Sequence, residues 1–241
     1  LVERIQPAHT VDEENARWGI TKGNPIWEDV HEAVDMVENT FLLNVSMNRD
    51  KEITGVFAGD LRKAHAKGIE HVRKQSMVEV PHLYDLVITG NSGYPLDLNM
   101  YQAVKGMSAA YQIVKEDAAI LLAADCWDGV PSHGSYGSLL ASAGTPSELL
   151  KQIRHAEKPV QDMWQAQIHA KICKRTNVHF YSDNLEAKTI EDSFMVPVED
   201  MAKEAEHILE EYMAKGGTRE AFRICVLPEG PLTIPYYKEN K

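Results

Sequence analysis

Basic residues are few in this chain relative to acidic ones, 25 against 36 in 241 residues, and the resulting formal charge of −11 repels a phosphate backbone. No concentrated basic patch offsets it. The densest basic stretch, Arg62 to Lys74, is interleaved with His65, Glu70 and His71 at helical spacing and reads as a solvated face, so no nucleic-acid partner is expected. Long apolar runs are missing too. The longest, Ala118 to Ala124, has seven residues held between Asp117 and Asp125, against roughly 20 for a membrane-crossing helix, so no membrane span is expected. Cysteine is rare: Cys126, Cys173 and Cys225 are odd in number, far apart and set in apolar surroundings. That pattern points to reduced thiols in a cytoplasmic protein and not to a disulfide framework. No signal peptide precedes them, and because the chain begins at Leu1 and not at Met, its true start is expected upstream.

Familiar catalytic signatures are also lacking. None of the ten histidines pairs as H-x-x-x-H or sits beside a cysteine at zinc-ligand spacing, and no G-x-S-x-G elbow follows a strand. His31, His65, His71, His155, His169 and His207 fall on helices among charged neighbours and read as surface. Gly90-Asn91-Ser92-Gly93 has neither the G-x-G-x-x-G order nor a Walker lysine, which leaves a nucleotide site weakly supported.

What is present is an ordinary globular composition, 44% apolar and 25% charged, in a chain long enough for one large domain or two lobes. Asn24 and Pro25 open a helix with Ile26, Val30, Ala33, Val34 and Val37 on one face. Phe41 to Met47 and Glu52 to Ala58 read as a hairpin around the polar Asn48-Arg49-Asp50-Lys51, and Asp60 caps a helix running to about Gln75. After Met77, short apolar strands alternate with helical patterns as a parallel sheet with crossover helices requires. The strands are Tyr84 to Thr89, Ala118 to Ala124 and Val178 to Tyr181; helices span Leu98 to Val114 and Val160 to Lys174, and Thr145, Pro146 and Glu148 start another. Pro197 begins an amphipathic helix that Gly216-Gly217 ends, and the last strand, Phe222 to Leu227, is expected to return to the first lobe as an edge. The tail from Pro228 to Lys241 reads as surface. The expected class is α/β: a Rossmann-like parallel-sheet lobe plus part of a second α/β lobe, joined by helical linkers. In this division residues 1–77 and 221–241 are the end portion of the N-terminal lobe, 78–200 the C-terminal α/β lobe, and 201–217 a linker helix.

The segment with ligand-binding character is strand, Gly-rich loop and helix from Tyr84 to Val114, because a helix N-terminus at the carboxyl edge of a parallel sheet presents unpaired N–H groups. Tyr101, Gln102 and Lys105 fall within one arc of that helix. An ammonium with an amide and a phenol suits a carboxylate clamp, while an exposed polar helix face is the simpler alternative. Asp125 and Cys126 follow the central strand onto the same edge and their role is open, as is that of His133 in the loop Pro131 to Ser135. Asp128 and Gly129 read as a turn.

The run Asp85-Leu86-Val87-Ile88-Thr89-Gly90-Asn91-Ser92-Gly93-Tyr94-Pro95-Leu96-Asp97, continued by Asn99-Met100-Tyr101-Gln102-Ala103-Val104-Lys105-Gly106-Met107, resembles the nickel-pincer-dependent lactate racemase family. Gly23-Asn24-Pro25, Asn44-Val45, Gly55 to Asp60 and Ala64-His65 extend the resemblance over nearly the whole chain. It implies two lobes flanking a cleft that holds a nickel-pincer nucleotide (nickel pyridinium thioacid mononucleotide) tethered to a lysine. There a small 2-hydroxy acid is inverted or epimerised by removing and returning hydride. The chain resembles the C-terminal portion of such an enzyme, which implies that Tyr101, Gln102 and Lys105 contact substrate and cofactor. Met163-Trp164-Gln165 places Trp164 as a cleft tryptophan, a core tryptophan being the alternative, and His9 lies where the family carries a nickel-ligating histidine. The family's early arginine, its two acid/base histidines and its pincer lysine would precede Leu1. This chain is therefore expected to hold no catalytic group, to be inactive alone, and to be completed by a preceding segment of the same protein. The opposing function is a non-catalytic lobe that binds a small carboxylate or cofactor.

Overall fold

The computed structural model describes residues 14–48 and 50–238. Helix α1 (Pro25–Asp35) is capped by Asn24, whose side-chain oxygen accepts from the N–H groups of Ile26 and Trp27, while Pro25 takes a first-turn position that needs no N–H. Strands β1 (Phe41–Met47) and β2 (Ile53–Asp60) form an antiparallel pair, and Asp60 caps α2 (Leu61–Ser76) by accepting from the Lys63 N–H. The pair stands as a two-stranded sheet, and Phe41, Leu43, Met47, Ile53 and Val56 on it are exposed.

There follow β3 (Met77–Val80), β4 (Tyr84–Gly90), α3 (Met100–Tyr111), β5 (Val114–Ala123), α4 (Tyr136–Ala141), α5 (Pro146–Arg154) and α6 (Met163–Arg175). The chain continues through β6 (Asn177–Tyr181), α7 (Ala187–Glu191), β7 (Val196–Val198), α8 (Met201–Ala214), β8 (Ile224–Leu227) and β9 (Ile234–Tyr237). Five strands make one parallel sheet in the order β7-β6-β5-β4-β8. Its central strands are apolar on both faces because both are covered. Val87, Ile120 and Leu122 enter a core with Val104, Met107, Leu140, Leu149 and Phe180, while Leu86, Ala119 and Leu121 meet Val198 and Ile208 on the other side. The α/β class with a parallel sheet is thus what forms, and no helix among the described residues is long and apolar enough to cross a membrane.

Three expectations about the C-terminal part need correction. The strand Phe222 to Leu227 does not return to the first lobe: β8 lies beside β4 in the same sheet as Ala118 to Ala123. The cause is the helix before it. Far from being a bare linker, α8 lays Ile208 and its neighbours against Leu86 and Leu121, so the short connection that follows can deliver a strand only to the sheet it covers. Buried Asp85 fixes the new edge, accepting from the Arg223 N–H at 3.0 Å and from Lys115 Nζ at 2.7 Å. Pro197 lies in edge strand β7, where a missing N–H is tolerated, and the helix starts at Met201 under an Asp200 cap. Nor is the tail all surface. Pro235 is buried in β9, which pairs in parallel with β3 from Met77↔Ile234 to Val80↔Tyr237.

Candidate functional site

The carboxyl ends of β4 and β5 open into the loops 91–99 and 124–129, which meet at the N-terminus of α3. Asn99 caps that helix, its Oδ1 accepting from the Gln102 N–H at 3.1 Å while its Nδ2 donates to Asp128 Oδ2 at 3.1 Å. The turn reading of Asp128 and Gly129 agrees with the bond from the Gly129 N–H to the Cys126 carbonyl. Asn91 is buried behind the helix. Its Nδ2 donates to the carbonyl of Gln102 at 3.1 Å and to that of Leu96, and its Oδ1 accepts from the Gly106 N–H at 2.9 Å. This approach requires glycine at 106, since a Cβ there would stand 3.0 Å from the Gly90 carbonyl oxygen, 3.1 Å from Asn91 Oδ1 and 3.1 Å from Leu122 Cδ1. Replacing Gly106 by Val should therefore destabilise the fold by about 1–3 kcal/mol, the usual cost of overpacking, measured as a lower urea midpoint at unchanged slope. An unchanged midpoint would show that the helix can lift off the sheet freely. On the β8 side of β4, where strand order reverses, a cleft of about 490 Å³ is lined by Asn91, Ser92, Asp97, Glu229 and Thr233.

The trio on α3 is half-buried. Lys105 Nζ donates to Gln102 Oε1 at 2.6 Å. An ammonium can only donate, so the amide oxygen must face it and Gln102 Nε2 remains a donor. The pair thus presents a cation and an amide N–H₂, a match for the two oxygens of a carboxylate. Tyr101 stands beside them, its ring edge-on to Trp164 at 6.2 Å and to Tyr136 at 5.3 Å. Burial and the nearby Asp162 carboxylate push its phenol above its ordinary value, so it is a neutral hydrogen-bonding group. Its backbone carbonyl accepts from buried Gln165 Nε2 at 2.7 Å.

Tyr101, Gln102, Lys105 and Trp164 are thus brought onto one surface by α3 and the start of α6. Trp164 is half-buried and packs on Tyr101, between the two alternatives of cleft and core. Asp125 is exposed and accepts from Asn184 Nδ2 at 2.7 Å, which makes it part of a loop-to-loop contact. Cys126 is fully buried, and burial pushes its thiol up to about 12, so it is no nucleophile at neutral pH. His133 is exposed in its loop. His9 lies outside the described residues.

Two histidines read as surface are not. His31 is buried and stacks on Trp27, with ring centroids 3.6 Å apart. His169 is wholly buried on α6, whose inward face is wide enough to take in Gln165, Ala166, His169, Ala170 and Ile172. One ring nitrogen, Nε2, faces the Ser193 carbonyl at 2.8 Å, and the other, Nδ1, faces the buried Tyr136 hydroxyl at 2.7 Å. A carbonyl only accepts, so Nε2 carries the hydrogen and the Tyr136 O–H donates to Nδ1. Burial holds the imidazole near 4, neutral at pH 7. Tyr136 and His169 therefore form the back wall of the Tyr101 site. The signal that could have found them is the Ala166 and Ala170 pair beside His169 on one helical face.

No three His, Cys, Asp or Glu side chains among the described residues converge as a metal site. The described residues do not by themselves fit a nickel centre.

Comparison with known proteins identifies the family of the chain. A family model described as Lactate racemase C-terminal domain matches residues 80–234. A lactate racemase of Thermoanaerobacterium thermosaccharolyticum is 36% identical over 221 residues, 91% of this chain and 50% of that protein. One from Lactiplantibacillus plantarum is 36% identical over 222 residues with the same coverage. The chain therefore spans about half the length of the curated relatives it matches. The structure of the lactate racemase apoprotein from Thermoanaerobacterium thermosaccharolyticum superposes with a TM-score of 0.88 at 31% identity, covering 99% of this chain and 55% of that one. A Thermotoga maritima protein shares the fold, at a TM-score of 0.62 and 12% identity, over 89% of this chain and 54% of its own. With the five-stranded sheet lying wholly within the residues that the family model matches, and with relatives matched along nearly the whole chain, this protein belongs to the lactate racemase family and carries its C-terminal domain.

Proposed function

We propose that this chain is the C-terminal portion of a lactate racemase-like enzyme and that its role is to hold the carboxylate of a 2-hydroxy acid. The observation that carries the reading is the Lys105 to Gln102 bond of 2.6 Å, which fixes a cation and an amide donor side by side on a helix of a family member. Lys105 supplies charge and Gln102 Nε2 a directed donor, while Tyr101 and Trp164 form an aromatic wall that limits where the rest of a small substrate can lie. Holding the substrate at its carboxylate leaves the carbinol carbon free to be presented to the other half of the enzyme.

The inversion itself, which the resemblance assigns to a nickel-pincer nucleotide, would rest on groups outside the described residues; this chain contributes binding and orientation. The partner that completes the site is the preceding segment of the same protein. The exposed Phe41, Leu43, Met47, Ile53 and Val56 of the β1–β2 sheet support this, since such a patch is rarely left uncovered in a finished protein. The experiment is racemisation of each lactate enantiomer, followed by chiral chromatography, with the protein carrying both halves and with this chain alone. The former should interconvert the enantiomers and the latter should not. Turnover by this chain alone would show that its own residues carry the acid/base chemistry, and no turnover by the longer protein would favour the carboxylate-binding lobe.

A further inference from the structure

We propose that Asn91 is a positioning residue for the Gln102–Lys105 clamp, a role that rests on the function proposed above. In an α-helix the carbonyl of residue i and the N–H of residue i+4 are each other's partners. At Gln102 and Gly106 the Asn91 amide takes hold of both: Nδ2 donates to the Gln102 carbonyl at 3.1 Å and Oδ1 accepts from the Gly106 N–H at 2.9 Å. A side chain from the end of β4 is thus spliced into one turn of α3, the turn that contains Lys105. The bond to the Leu96 carbonyl ties the same amide to the loop between strand and helix.

Gln102 is pinned at its other end as well, because its N–H is held by Asn99 Oδ1 at 3.1 Å. Both peptide groups of the one residue are therefore fixed by asparagines of a single loop. Its side chain then carries the constraint to Lys105 Nζ at 2.6 Å. Asn91 is 2% exposed, so water cannot substitute for its bonds. Neither aspartate, which lacks the donor, nor alanine, which lacks both groups, can make the splice. Asn91 borders the cleft at the switch point, but its amide is taken up by the Leu96 and Gln102 carbonyls and the Gly106 N–H, so it acts on the clamp through the backbone of Gln102.

The test uses the longer protein in four forms: wild type, Asn91→Ala, Lys105→Ala and the double variant. The loss of a positioning contact worth one buried hydrogen bond should lower kcat/KM about five- to tenfold in Asn91→Ala, chiefly through KM. In the Lys105→Ala background the same substitution should cost less than about twofold, because the clamp it serves is already gone. An equal loss in both backgrounds would make Asn91 a purely structural residue and overturn the proposal. An independent readout needs no activity: the amide hydrogen exchange and nitrogen shifts of Gln102, Lys105 and Gly106 in wild type and Asn91→Asp. Changes concentrated at these three amides support the splice even if the longer protein proves not to racemise lactate, which would sink only the functional reading. Amides that do not move in Asn91→Asp would overturn it.

Discussion

Lys105→Ala in the protein carrying both halves should lower kcat/KM for lactate by about ten- to a hundredfold, the equivalent of the 1.5–3 kcal/mol typical of a hydrogen bond to a charged group. Gln102 Oε1 already faces the ammonium at 2.6 Å, so the two side chains are ordered before any ligand arrives. Removing the cation takes away the charge that a carboxylate would meet and also frees the amide to turn its oxygen outward, where it would repel the ligand. The loss should show in KM at least as strongly as in kcat, since carboxylate binding is made in the ground state as well. Thermal stability should hardly change, because Lys105 is half-buried on a helix surface and its loss leaves no hole in the core. Kinetics unchanged from wild type would return Tyr101, Gln102 and Lys105 to an ordinary polar helix face.

The second large effect is on stability and comes from His169. Its imidazole is held near 4 in the folded protein by burial, against 6.5 for the free side chain. Between those values the unfolded chain takes up a proton that the folded protein refuses, so folding stability falls as pH drops from about 6.5 to about 4. The gap corresponds to about 3–3.5 kcal/mol at most. Above 6.5 both states are neutral and the group has no influence on pH dependence. Below 4 both are protonated and the dependence ends. Urea unfolding of wild type and His169→Gln at intervals from pH 7.5 to 4 measures it. The variant should be the less stable at pH 7.5, having lost the fit between Tyr136 and Ser193, and the two curves should converge as pH falls. Curves that stay parallel would mean that the imidazole titrates alike in both states.

How much of this was readable from residues alone follows from the range of the interactions involved. Asn24, Asp60 and Thr145 cap helices through bonds to N–H groups two or three residues on, and such local chemistry is written in adjacent letters, whereas the Asn99 cap escapes a reading that starts the helix at Leu98. The alternation after Met77 likewise gave the parallel sheet, because the middle of β4, Leu86 to Ile88, and the second half of β5, Ala118 to Ala123, are covered on both faces and therefore apolar. The location of β8 was not local. Ile224 and Val226 are exposed while Cys225 and Leu227 turn inward, an alternation that would suit an edge in either lobe; only the packing of α8 decides. The pairing of β3 with β9 was missed because Met77 to Val80 and Ile234 to Tyr237 are four-residue strands that stabilise each other across most of the chain.

At the candidate site the helical spacing of Tyr101, Gln102 and Lys105 was enough to place them together, since 3.6 residues per turn fixes their arc. Nothing in that spacing discloses Asn91, which lies eleven residues from Gln102, or the reach of Asn99 across to Asp128. The burial of His169 was hidden by Lys171 and Lys174, which share its helix and not its face.

The pairing of β3 with β9 has a topological consequence. The domain that β3 introduces and β9 concludes leaves from Val80 and comes back at Ile234, whose partner is Met77. At roughly 3.3 Å per strand residue the two ends are separated by about 10 Å along the ladder plus one interstrand spacing. A bridge of about five residues could join them, and loop closure that short costs little entropy. Residues 81–233 thus have the geometry of an inserted domain: the covalent chain could be opened at a surface loop and resealed at this clasp, yielding a circular permutant that keeps every strand of the sheet in its present order.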